Sequence, residues 1–229
     1  MSKSKNINAI IFDLDGTLIY FKIDYLSARR EIINKLVLSG IPDSLISENQ
    51  RIMDIIKIVE NYFNEIVKIP DKLPTIKKEI NDIVTKYEMD AAKKTDLIPG
   101  AKDLLMILKE RKYKIGLFTL ENRKITNYIL KKFSIIPYFN SIITRDDVNN
   151  PKPHPDHLKL ALDQLKVTSD KIIVVGDNPI DFECAKQLNA LTVALLNDRH
   201  TKDELLNSGA NYTIENLLDI LQIIEAIDN

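Results

Sequence analysis

The stretch Ile10-Ile11-Phe12-Asp13-Leu14-Asp15-Gly16-Thr17-Leu18 decides how the chain is read. Three apolar residues run straight into two carboxylates two positions apart, and a glycine follows. A short apolar run closed by polar turn residues reads as a strand buried on both faces of a parallel sheet. Such sheets bind ligands beyond the carboxyl ends of their strands. Gly16 permits the tight turn that such a loop needs. Asp13 and Asp15 repel one another, and one tends to stay protonated unless a cation relieves them. Hard carboxylate oxygens favour magnesium, which takes one or two of them and keeps water and phosphate oxygens as its other ligands. Asp-x-Asp-Gly is also an ordinary solvated turn, since both residue types are common there.

Outward from this stretch, the pattern of a strand followed by a polar loop recurs. Strands are expected at Asn8–Phe12, Lys114–Phe118, Ser141–Thr144, Lys171–Val175 and Leu191–Ala194, with a weaker sixth at Tyr212–Ile214. Amphipathic helices are expected between them, at Pro99–Tyr113, Lys124–Phe133, Pro155–Leu165 and Asp181–Leu188. The alternation predicts a doubly wound, Rossmann-like α/β fold around a parallel sheet. From Thr17 to about Thr95 the patterning is helical only, with helices expected at Tyr25–Leu38, Leu45–Val67 and Thr75–Lys86. That segment is too long for a single crossover. It predicts an inserted all-helical domain over residues 19–95, with the α/β core formed by 1–18 and 96–229.

Composition narrows the class. The chain has 229 residues, of which 45% are hydrophobic and 28% charged, enough apolar material for a full globular core. Lys and Arg number 32 against 33 for Asp and Glu, which argues against a general nucleic-acid or anionic-membrane surface. No apolar run approaches the ~20 residues of a membrane span or forms a signal-peptide core. One cysteine, Cys184, offers neither an internal disulfide nor a zinc framework, and reads as a small core residue. The expectation is a cytoplasmic protein, monomer or homodimer.

Three more loops draw attention. Lys114–Thr119, KIGLFT, is a strand ending in Thr119, whose hydroxyl can hold an anion or merely start the next helix as its N-cap. In NNPKPHPDHL, Lys152 stands between Pro151 and Pro153 with Pro155 beyond, and prolines hold such a segment extended rather than loose. In IIVVGDNPIDFECA, a strand and glycine turn lead to Asp177 and, four residues on, Asp181 at a helix start, where the dipole alone favours a carboxylate. His154, His157 and His200 are scattered, without metal-like spacing, and solvent exposure is the expectation for His154.

FDLDGTL closely resembles the first signature of the haloacid dehalogenase-like hydrolases, and the other three loops resemble that family's remaining signatures in order. The resemblance implies a helical cap in the position of the insert, with cap movement excluding water, and a likeness to phosphoglycolate phosphatases. It implies Asp13 as nucleophile and Asp15 as general acid and base. Thr119 and the Leu120 backbone would hold a phosphoryl oxygen, and many relatives have Asn where this chain has Leu120. Lys152 would neutralise nucleophile and phosphoryl group. Mg2+ would be bound by Asp13, Asp15, Asp177 and Asp181, the last from beyond the direct ligands or by orienting Lys152. The implied activity is magnesium-dependent hydrolysis of a small phosphorylated metabolite through an aspartyl-phosphate. A pyrophosphatase, a sugar phosphomutase and a catalytically silent binding protein are the alternatives. Arg29, Lys57, Lys68 and Arg123 could grip an anionic substrate or be ordinary surface charges.

Overall fold

Ala9–Phe12 forms strand β1, every residue of it fully buried. In the computed structural model, which describes residues 7–20 and 22–228, parallel strands flank it on both sides. They are β4 (Lys114–Phe118), β5 (Ser141–Ile143), β6 (Ile172–Gly176), β7 (Leu191–Leu195) and β8 (Tyr212–Ile214), while β2 (Ile19–Tyr20) and β3 (Asp96–Leu97) form a separate ribbon. The order is β5-β4-β1-β6-β7-β8, and every pairing is parallel. The chain steps outward from β1 through β4 to β5, returns to β6 on the other side, and steps outward again. β1 therefore lies at the topological switch point, where α/β sheets open a crevice beyond their carboxyl ends. Phe12 is level with Leu117 on one side and Val175 on the other, so the loops after β1, β4 and β6 leave the sheet side by side.

The strand expectations hold to within a residue or two. Helices α4 (Ala101–Glu110), α5 (Arg123–Lys132), α6 (Asp156–Leu165) and α7 (Pro179–Lys186) occupy the expected crossovers. Gly100 precedes α4 at φ 80, a left-handed conformation that glycine adopts without a Cβ clash. One face of the sheet is closed by Ile11, Ile143, Leu158, Leu165, Val174 and Cys184 among others, so Cys184 is a core residue as expected. The ribbon, β2 (Ile19–Tyr20) paired antiparallel with β3 (Asp96–Leu97), was not expected, because two-residue strands carry no periodicity. Helices α8 (Lys202–Ser208) and α9 (Ile220–Asp228) follow β7 and β8.

The chain divides into two compact units, Met1–Phe21 with Thr95–Asn229, and Lys22–Lys94. The second is helical throughout its regular structure. Its α1 spans Tyr25–Leu38, as expected, with Asp24 accepting from the Ser27 N–H as N-cap. The helix expected over Leu45–Val67 is instead broken. Asp43–Leu45 is a 3-10 turn, and the Ser47 N–H bonds to Gln50 Oε1 at 2.8 Å in a turn that precedes α2 (Ile52–Asn61). Local side-chain bonds of this kind compete with helix formation, which apolar patterning alone does not register. The third helix, expected over Thr75–Lys86, runs from Leu73 to Lys94 as α3; Pro74 sits in its first turn, where its missing N–H is not needed. Ile32, Leu36, Ile55, Val59, Phe63 and Ile80 pack together as this unit's core. Among the described residues no helix is long and apolar enough to cross a membrane.

Candidate active site

The turn after β1 is tight because Gly16 adopts φ 80 and donates its N–H to the Ile19 carbonyl at 2.9 Å. A Cβ on Gly16 would overlap the Asp177 carboxylate, so the two loops approach as closely as glycine allows. Asp13 leaves β1 with its N–H bonded to the Val175 carbonyl at 2.9 Å, and is 6% exposed.

Lys152 reaches this point from the loop after β5. Its Nζ donates to Asp13 Oδ1 at 2.5 Å, to Asp181 Oδ1 at 2.7 Å and to the Phe118 carbonyl at 3.1 Å, and lies 4.2 Å from the centre of the Phe118 ring. All three ammonium donors are used, as a buried charge requires. Burial works against this charge, but Asp13 and Asp181 outweigh it and hold the lysine pKa above its usual value.

Asp181 serves the start of α7 and Lys152 at once. Oδ2 accepts from the Asn178 N–H at 3.2 Å, closing a capping box at the start of α7, while Oδ1 accepts from Lys152. Asp177, at the end of β6, is 1% exposed. Its Oδ2 accepts from Asn197 Nδ2 at 2.7 Å and lies 3.6 Å from Arg199 Nη1, and its Oδ1 is 3.4 Å from the Thr17 hydroxyl. Asn197 and Arg199 were not among the sequence candidates. They lie in the loop after β7, and position beyond a strand's carboxyl end was the signal available for them.

Thr119 is fully buried at the end of β4. Its N–H bonds to the Ile143 carbonyl at 3.0 Å, and its Oγ1 accepts from the Glu121 N–H at 3.1 Å, leaving the hydroxyl proton to donate elsewhere. It is not the N-cap of α5; Asn122 is, accepting from the Ile125 N–H. The Leu120 carbonyl accepts from Arg145 Nη1 at 2.8 Å, which fixes the backbone beside Thr119.

Oxygens of Asp13, Asp177 and Asp181 all lie within 4.8 Å of one another. Burial pushes Asp13 up to about 8, the pull of Lys152 being opposed by Asp181 and Asp177. Burial, then Asp181, also raises Asp177. Ionised together, these three buried carboxyl groups would outnumber the one ammonium beside them, which is why burial and mutual repulsion raise Asp13 and Asp177, and an all-oxygen set of this kind fits a hard divalent cation that would relieve the repulsion. Asp15, expected among the metal ligands, is not part of that cluster. Its Oδ1 is buried without a hydrogen-bond partner, and burial, the adjacent Glu121 carboxylate and Asp13 push its pKa well above the carboxylate range. That environment favours a protonated Asp15.

Other expectations resolve individually. Arg123 pairs with Asp147 and bonds the Ile142 carbonyl, and Arg29 bonds the carbonyls of Tyr25 and Gln50, so both are tied to their own surroundings. The His154 side chain is 49% exposed, in keeping with the solvated reading.

The chain matches the haloacid dehalogenase-like hydrolase family over residues 10–195. It is 26% identical over 240 residues to pyrophosphatase PpaX of Bacillus mycoides, a match covering 97% of this chain and 99% of the relative. Among solved structures, a hydrolase from Pseudomonas syringae matches with a TM-score of 0.69 and 24% identity, over 97% of this chain and 100% of the other. A predicted phosphoglycolate phosphatase from Haemophilus somnus matches with a TM-score of 0.65 and 22% identity, over 95% of this chain and 98% of the other. The structural likenesses show a shared fold. The family match takes in all four loops that carry Asp13, Thr119, Lys152 and Asp177, and on that ground this chain belongs to the haloacid dehalogenase-like hydrolases.

Proposed function

We propose that this hydrolase is a magnesium-dependent phosphatase that transfers the phosphoryl group of a small phosphorylated metabolite to Asp13 and then to water. The observation that carries the reading is the Lys152 ammonium seated between Asp13 and Asp181, with Thr119 at the end of the adjoining strand. A phosphate ester is anionic and resists an anionic nucleophile, so positioning and charge neutralisation supply most of the rate.

The residues then divide the work. Lys152 fixes the Asp13 carboxylate and offsets its charge. An Asp13 oxygen bonds to phosphorus as the bond from phosphorus to the leaving oxygen breaks. Asp15 gives its proton to that leaving oxygen. Thr119 donates its hydroxyl proton to a phosphoryl oxygen. In the second half, Asp15 takes a proton from water, the water oxygen bonds to phosphorus, and the bond from Asp13 to phosphorus breaks, freeing phosphate. Asp13, Asp177 and Asp181 would hold the magnesium, which when bound supplies further neutralisation of phosphoryl charge.

The full-length likeness to a pyrophosphatase supports inorganic pyrophosphate as a substrate to test beside esters. The experiment measures phosphate release from p-nitrophenyl phosphate, phosphoglycolate, a sugar phosphate and pyrophosphate, with and without magnesium. Release that needs magnesium and is lost in Asp13→Asn is the expected result. Unchanged release by that variant overturns Asp13 as nucleophile, and isomerised sugar phosphate without free phosphate would indicate a mutase.

A further inference from the structure

His157 occupies the second position of α6 and is fully buried. Its Nδ1 accepts the backbone N–H of Lys152 at 3.2 Å. Pro151 and Pro153 on either side of Lys152 have no N–H, so this is the one backbone donor of that tripeptide. A buried backbone N–H without an acceptor is strongly disfavoured, and no strand neighbour supplies one here; a side chain five residues ahead does. The same ring stands edge-on to Phe118, centroids 5.7 Å apart and planes at 70°. Phe118 is the residue whose ring faces Lys152 Nζ and whose carbonyl accepts from it. His157 therefore touches the base of Lys152 directly and the seat of its head through Phe118.

We propose that His157 is a positioning residue, holding Lys152 in the register that places its ammonium between Asp13 and Asp181. The inference rests on the proposed role of Lys152 in phosphoryl transfer. A lysine has four rotatable side-chain bonds, so the place its ammonium can reach depends on where its backbone holds the first of them. Burial, then the Lys152 charge, depresses the imidazole pKa to about 4, so at neutral pH the ring carries no charge and Nδ1 keeps its lone pair. Asn at this position retains an acceptor near Nδ1; Phe retains ring and bulk but not the acceptor.

The test compares His157→Asn and His157→Phe with the parent protein, in solution kinetics and in crystal structures of each. His157→Phe is expected to lower kcat about tenfold or more with KM within about twofold, because a small misplacement of a charge-neutralising group is felt in the transition state. His157→Asn is expected to recover most of that loss. In the His157→Phe crystal, Lys152 Nζ is expected to leave Asp13 or Asp181. Parental kcat in His157→Phe, or a Lys152 ammonium still bridging both carboxylates in it, overturns the proposal. So does an Asn variant as impaired as the Phe variant. The crystallographic readout needs no turnover, so it stands even if the phosphatase reading fails. If His157→Phe does not fold, the smaller His157→Leu carries the same expectations.

Discussion

Lys152 Nζ and Asp181 Oδ1 meet at 2.7 Å, with both side chains 1% exposed. Asp181 is also the carboxylate that closes the capping box of α7, so the start of that helix and the ammonium beside Asp13 share one side chain. Replacing Asp181 should therefore act on stability and catalysis together. Asp181→Ala removes the N3 carboxylate of the capping box and is expected to lose about 1 kcal/mol from it, read in urea unfolding without metal. Phosphate release is expected to fall about tenfold or more as Lys152 loses one of its two carboxylates. A variant with parental turnover would show that Asp13 alone suffices to hold Lys152.

Gly176 explains why Asp181 can sit where it does. A Cβ on Gly176 would overlap the Asp181 carboxylate, and both residues are fixed, one in β6 and one in α7. Gly176→Ala is expected to keep the fold, by circular dichroism, and lower kcat about tenfold or more by displacing that carboxylate. Parental activity in Gly176→Ala would mean that Asp181 can move without consequence.

Asn197 tests the metal reading apart from turnover. It is the 2.7 Å donor to Asp177 Oδ2, and groups that orient a ligating carboxylate commonly change metal affinity about 10- to 100-fold when removed. Calorimetric titration with Mg2+ or Mn2+ should show weaker binding by Asn197→Ala in that range, and little binding by Asp177→Asn. Saturating metal at about one hundred times Kd should stabilise the parent by about 2.7 kcal/mol. Removing the metal with EDTA should reverse the gain. A melting temperature that ignores both additions would count against a cation among these carboxylates.

His157 sets a pH dependence whose sign is fixed by its environment. Burial first, then Lys152, lowers the folded pKa to about 4, with the Ile143 backbone and Asp147 opposing. The unfolded ring takes a proton near pH ~6.5 and the folded ring does not. The stability this ring contributes is therefore complete above pH ~6.5 and lost as pH falls toward the folded pKa, by up to about 3 kcal/mol. Unfolding free energies of the parent and His157→Asn, measured from pH 7 to pH 4, should differ in slope, the parent falling more steeply. Parallel curves would mean that the imidazole is protonated inside the fold.

Much of the candidate site was legible because its chemistry lies next to backbone punctuation. Asp13, Thr119 and Asp177 each follow an apolar run at a strand's carboxyl end, and prolines mark Lys152. His157 has no metal-like spacing to His154 or His200, and nothing in that spacing points to Lys152. The sharper signal was its place with Leu158, Ala161, Leu162 and Leu165 on the buried face of α6. The break before α2 and the β2–β3 ribbon escaped because side-chain turns and two-residue pairings leave no period to detect.

The local pattern alone determined the elements: apolar β-branched runs that make strands, amphipathic spacings that make helices, and the residue types waiting in the loops. What only the tertiary structure decided was adjacency. Asp13 and Lys152 are 139 residues apart, and nothing in either segment names the other. Parallel pairing in the order β5-β4-β1-β6 brings their loops together beyond the carboxyl ends of the strands, and burial then turns ordinary carboxylates and an ordinary lysine into one interacting electrostatic cluster. The division follows from the physics: backbone propensity and hydrophobic period act over a few residues, whereas desolvation and charge coupling depend on distances that exist only once the chain has folded.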